Sequence, residues 1–99
     1  RFGPYGSKAR PGRTVQVSLK TFNHSSTSRK LTFALNLPAG FEATPPTASV
    51  TIPPRTEKQT DFNLAIDTSV DPGTYVITAD VQQEQWNLPR WAETIIEVE

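Results

Sequence analysis

The side chains most able to do chemistry in this 99-residue chain are Trp86, Arg90 and Trp91. Two indoles and a guanidinium so close together supply flat apolar area, donor N–H groups and a fixed charge. Binding hot spots and sugar-stacking platforms use that equipment. Three roles fit: packing over an open end of the fold or against a neighbouring domain, contact with a protein partner, and stacking on a polysaccharide. Their discriminating property is exposure, because a sugar platform must be flat and face solvent.

The remaining candidates are weaker. His24 is the single histidine and sits beside Ser25 and Ser26, but a serine triad needs a positioned base, an orienting carboxylate and an oxyanion hole, which sequence neighbours do not supply. With one histidine and no cysteine, a zinc site would have to be built mostly from carboxylates. Asp67 and Asp71 could contribute to a calcium site, yet no dense Asp-x-Asp-x-Asp loop is present, and an aspartate before Pro72 is a natural turn starter. Nothing in the spacing of Asp61, Asp67, Asp71 and Asp80 sets two carboxylates across a glycosidic bond. Asn23-His24-Ser25 matches the N-glycosylation acceptor and falls in a turn where it could be reached, but chance occurrence is the default for a three-residue pattern. The residues therefore predict no catalytic group, no metal and no cofactor.

Composition limits the partners. Ten basic residues balance ten acidic ones without long runs of either sign, so no strong field draws nucleic acid. No apolar run approaches the roughly 18 residues of a membrane span, so membrane insertion is not expected. The length suits one domain, and the absence of cysteine leaves the redox compartment open. The opening Arg1, without an initiator methionine, suggests a domain cut from a longer protein.

Alternating strands must position these residues. Pro72-Gly73 reverses the chain and launches a strand with Tyr75, Ile77, Ala79 and Val81 on one face and Val76, Thr78 and Asp80 on the other. The same period places Val15, Val17 and Leu19 inward, then Leu31, Phe33, Leu35 and Leu37, then Val50 and Ile52, then Phe62, Leu64 and Ile66, and finally Thr94, Ile96 and Val98. Phe41 should plug one end, and Pro45-Pro46 should confine residues 42–47 to an edge. Residues 1–12, rich in glycine and proline, read as a linker or N-terminal arm whose Phe2 and Tyr5 could pack on one edge, and residues 13–99 as the domain. Trp86 to Trp91 reads as the tip of a long hairpin. The expected fold is all-β, an Ig-like antiparallel β-sandwich of about seven strands with one dry and one wet side to each sheet.

The order of Pro11-Gly12, Leu35-Asn36-Leu37-Pro38-Ala39-Gly40-Phe41, Val50-Thr51-Ile52-Pro53, Phe62-Asn63-Leu64-Ala65-Ile66 and Asp71-Pro72-Gly73-Thr74-Tyr75 resembles the NEW3-type, alpha-galactosidase-associated Ig-like domains, over roughly Gly12 to Val98. These are similar to CARDB-like modules. The resemblance implies a non-catalytic accessory or spacer domain of a larger extracytoplasmic protein, located outside the cell, on its surface or in the periplasm, with the neighbouring domain as its partner. The chain departs from the family at Pro54-Arg55-Thr56-Glu57, where a proline-glycine pair is common.

Overall fold

The computed structural model describes residues 1–3, 6–83 and 86–99, so Tyr5, expected to pack on an edge, lies outside the described residues. Eight strands form: β1 (Ser7–Ala9), β2 (Thr14–Phe22), β3 (Arg29–Asn36), β4 (Phe41–Thr44), β5 (Thr47–Ile52), β6 (Glu57–Ile66), β7 (Gly73–Gln83) and β8 (Trp86–Val98). They make a five-stranded sheet in the order β1-β8-β7-β3-β5 and a three-stranded sheet in the order β2-β6-β4. The all-β sandwich expected from the alternation is therefore present, and its core holds Leu19, Phe33, Phe62, Leu64, Ile77 and Ile96 fully buried between the sheets. No helix among the described residues is long and apolar enough to cross a membrane.

The strand beyond the expected seven is β1, within the segment expected to be a linker or arm. That segment touches both sheets. Arg1 and Lys20 exchange backbone hydrogen bonds, the Gly3 amide donates to the Ser18 carbonyl, and Phe2 pairs with Leu19. Ser7–Ala9 then runs parallel to β8. Phe2 is only 6% exposed, so burial of one aromatic ring, worth about 1.5 to 3 kcal/mol, holds a glycine-rich stretch whose composition alone resembles a loop.

One end of the sandwich is closed by side chains on turns. Phe41 packs against Tyr75 with ring centroids 5.2 Å apart, and the Tyr75 hydroxyl donates to the Asp71 carbonyl at 2.6 Å. Val70, which has no place in the alternating pattern, is buried there. It packs over Gly40, where a Cβ would lie 2.5 Å from Val70 Cγ2 and the backbone φ is +88°.

The opposite end is closed by a polar side chain. Asn23 follows β2 and is 6% exposed. Its Nδ2 donates to the carbonyls of Thr27, Ile52 and Pro53 at 2.9, 2.8 and 3.2 Å, while its Oδ1 accepts from the Ser25 amide and hydroxyl at 2.9 and 2.8 Å. The Asn23 backbone also bonds to Thr56 and Arg55. This one residue ties the β2–β3 loop to the β5–β6 turn. The amide expected to be reachable as a glycosylation acceptor is therefore committed inside the folded domain. In the same turn Arg55 takes φ 55°, the left-handed conformation that glycine adopts without strain. At the departure from the family's proline-glycine pair, the chain thus places a non-glycine residue in a backbone conformation that glycine favours.

Two substitutions test these closures by chemical denaturation. Asn23→Ala should cost about 2 to 4 kcal/mol, because several buried carbonyls and a hydroxyl lose their partner together. A loss below about 0.5 kcal/mol would show that water replaces the side chain freely. Gly40→Ala should cost about 1 to 3 kcal/mol from the left-handed backbone and the collision with Val70; unchanged stability would mean that Val70 moves aside without penalty.

Candidate functional site

The sheets differ in length. Thirteen residues of β8, at about 3.4 Å each, account for the domain's 46 Å long axis, whereas the nine residues of β2 cover only about two thirds of that length. The far parts of β7 and β8 therefore extend past the shorter sheet as an arm.

Trp86 to Trp91, expected as a hairpin tip, belongs to β8 in this arm, which pairs with β7 as far as Gln83↔Trp86; residues 84–85 lie outside the described residues. Pairing runs from Gly73↔Val98 to Ala79↔Ala92, shifts, and resumes as Val81↔Leu88, Gln82↔Asn87 and Gln83↔Trp86. The shift leaves Pro89, Arg90 and Trp91 opposite Asp80 alone. Pro89 has no amide to offer a ladder, and a bulge removes the need for one. Arg90 sits at φ 52°, and its amide donates to Asp80 Oδ1 at 2.8 Å. Asn36 Nδ2 donates to the same carboxylate oxygen at 2.9 Å and to the Thr78 hydroxyl at 2.9 Å. The Arg90 amide, then the Asn36 side chain and the nearby Arg90 charge hold the Asp80 carboxyl below its ordinary pKa.

Cross-strand partners share a sheet face, so Leu88 lies beside Val81, on the face that elsewhere forms the core. Trp86, two residues away and opposite Gln83, continues that face. Beyond the end of β2 none of the described residues roofs it. Trp86 is 71% exposed, Leu88 48% and Trp91 38%. Trp91 is nevertheless anchored, with its ring centroid 6.3 Å from that of buried Phe33. The structure thus brings Trp86 and Trp91 to one apolar surface, while the Arg90 amide is turned to the Asp80 carboxylate.

A cleft of about 360 Å³ opens between the base of this arm and the β2–β3 loop. Its walls include Leu88 and Trp91 on one side and Phe22 and His24 on the other. The Phe22 and His24 rings pack 4.6 Å apart. Thr21 also lines the cleft, and its buried hydroxyl has no partner among the described residues. Sequence reasoning weighed His24 only as a catalytic base or zinc ligand and did not single out Phe22: an aromatic at an outward strand position and a loop histidine give no periodic signal, and only the loop that Asn23 holds brings them together.

The other candidates fall into local structure. The Ser25 hydroxyl bonds to Asn23 Oδ1 and to the Thr27 carbonyl, and the His24 ring packs at a tilt against Phe22, so neither is arranged as base and nucleophile. Asp67 accepts from the Ser69 amide and the Thr68 hydroxyl, a turn interaction, and these contacts lower its pKa, the Ser69 backbone bond most. Among the described residues no three His, Cys, Asp or Glu side chains converge as a metal site would need.

A carboxylate whose folded-state pKa is depressed stabilises above its ordinary pKa of about 3.9 and loses that effect as pH falls through the folded value. Protonating Asp80 should therefore loosen the bulge. Acrylamide quenching of Trp91, followed in a Trp86→Phe background, should rise as pH drops below about 4, and Asp80→Ala should show the loosened state at neutral pH. Equal quenching in parent and Asp80→Ala proteins would mean that the carboxylate does not hold the arm.

The domain is similar in fold to two solved structures. One is WR4, a C. elegans MSP family member, with TM-score 0.59 and 9% identity, covering 99% of this chain and 94% of that one. The other is the ASH / PapD-like domain of human CEP192 (PapD-like domain 7), with TM-score 0.59 and 14% identity, covering 100% of this chain and 82% of that one. At such identities the likeness concerns the sandwich alone. No curated protein matches the sequence. Residues 9–83 match the family described as the NPCBM-associated, NEW3 domain of alpha-galactosidase. With most of its length in that match and the two-sheet sandwich in place, the chain belongs to the NEW3 domain family associated with alpha-galactosidase.

Proposed function

We propose that this domain is a non-catalytic accessory module of a larger extracytoplasmic protein, and that the unroofed inner face of the β7–β8 arm is where a neighbouring domain packs. The observation that carries this reading is the joint exposure of Trp86, Leu88 and Trp91 on a face whose continuation forms the core. Apolar area of this kind stabilises by about 25 cal/mol per Å² when covered. The family association with alpha-galactosidase supports both the accessory role and a location outside the cytoplasm.

The course of the chain says which neighbour is suited to the arm. Arg1 pairs with Lys20 in antiparallel sense, so backbone preceding Arg1 would run beside Thr21 and Phe22, toward the rim of the cleft. Val98 pairs with Gly73 at the other end of the sandwich, away from the arm. A domain joined through Arg1 is thus the one positioned to cover Trp86 and Leu88, with Arg90 at the rim of the contact.

A second reading, a polysaccharide stacked on Trp86 or Trp91, draws on the 71% exposure of Trp86 and the Thr21 hydroxyl in the cleft, unpartnered among the described residues. Tryptophan emission separates the two. The isolated chain should show a red-shifted, acrylamide-quenchable component that Trp86→Phe removes and that soluble polysaccharides leave unchanged. A shift or protection induced by one glycan would favour the sugar. Blue-shifted, protected emission from both indoles would mean that the arm covers itself and needs no partner.

A further inference from the structure

We propose that β5 is a self-association edge, through which two copies of this chain pair strand to strand. A two-sheet sandwich has four edges, and unpaired backbone groups on any of them invite another strand unless the edge is short, charged, interrupted or covered. Three are guarded here. The β1 edge is three residues long. The β4 edge is four residues long and runs into Pro45-Pro46. The β2 edge is overlaid by Arg1 to Gly3.

The fourth edge, β5, has none of these guards. It reads Thr47-Ala48-Ser49-Val50-Thr51-Ile52, with no charged residue and no proline inside it, and among the described residues it pairs with β3 alone. Alternate backbone N–H and C=O groups along it point away from β3. Thr47, Ser49 and Thr51 are exposed on the outer face, and Ala48 and Val50 are half-buried on the inner one.

The geometry favours a second copy over an unrelated extended peptide because β5 matches itself. An antiparallel pairing about a two-fold axis through Val50 sets Val50 against Val50 of the other copy, Ala48 against Ile52, and Ser49 against Thr51. Each pair lies on one face, apolar with apolar and hydroxyl with hydroxyl. No charge meets a charge. A comparable hydroxyl contact already exists within the sheet, between Thr32 Oγ1 and Ser49 Oγ at 2.9 Å. Pro45-Pro46 and Pro53-Pro54 end the usable strand on both sides, and a copy supplies a strand that ends at the same places. The result is a continuous ten-stranded sheet with both short sheets on one side. Five paired residues, Ala48 to Ile52, span about 17 Å and bury less than a standard interface, so the dimer should be reversible and depend on concentration. It would leave the β7–β8 arm, separated from β5 by β3, free for its own contact.

Sedimentation equilibrium of the 99-residue chain over a concentration series tests this. The weight-average mass should climb from 11.0 kDa toward twice that value, with a dissociation constant no weaker than about 1 mM. Ser49→Lys or Thr51→Lys, each on the exposed outer face, should weaken association at least tenfold while far-UV circular dichroism and the thermal midpoint stay as in the parent. A chain that remains monomeric throughout the series overturns the proposal. So does association that survives both lysine variants, or that is lost instead in Trp86→Ser, which would place the interface on the arm.

Discussion

The hydrogen bonding of Asn23 is the interaction on which the candidate site of this domain depends. A side-chain amide has two donor hydrogens and an acceptor oxygen, and here they meet three carbonyls and the amide and hydroxyl of Ser25. Burying these groups is tolerable only because they satisfy one another. The consequence reaches past local stability. By joining the loop after β2 to the turn after β5, Asn23 fixes the height of Phe22 and His24, and so the wall that faces Trp91 and Leu88 across the cleft.

The second constraint is the mismatch between the sheets. A three-stranded layer built on nine- and ten-residue strands cannot roof a hairpin whose return strand has thirteen residues. The alternation that hides Ile77, Ala79 and Val81 continues to Leu88 and Trp86, where no opposing layer remains among the described residues. An isolated domain gains nothing from carrying such side chains outward. A module that meets another surface does, because the apolar face is already formed and needs little ordering. The Asp80 carboxylate, holding the Arg90 amide, lets β8 pass Pro89 and keep the arm in the sheet.

Much of the core was legible in the sequence because a two-residue period is a direct imprint of a half-buried strand. Val17, Leu19, Phe33, Phe62, Leu64, Ile77 and Ile96 all fall where the alternation puts them. What escaped was structure set by single contacts. Ser7–Ala9 pairs with β8 although its surroundings look like a loop. Val70 is buried by its fit over Gly40. Asn23 resembles a glycosylation acceptor until its partners, 29 and 30 residues away, are seen. The tryptophans were found by residue type, but their place on a strand required the bulge, and a bulge inserts residues where a periodic pattern expects none. Phe22 and His24 join the site only through tertiary folding.

The central claim is that the inner face of the arm is covered by a neighbouring domain. Indole N–H exchange at Trp86, compared between the isolated chain and the same chain within a longer natural polypeptide extending before Arg1, tests it most directly. Slowed exchange at Trp86 in the longer polypeptide, with Ile77 and Ile96 amides unchanged, is the predicted result. Equal exchange at Trp86 in both would contradict the account.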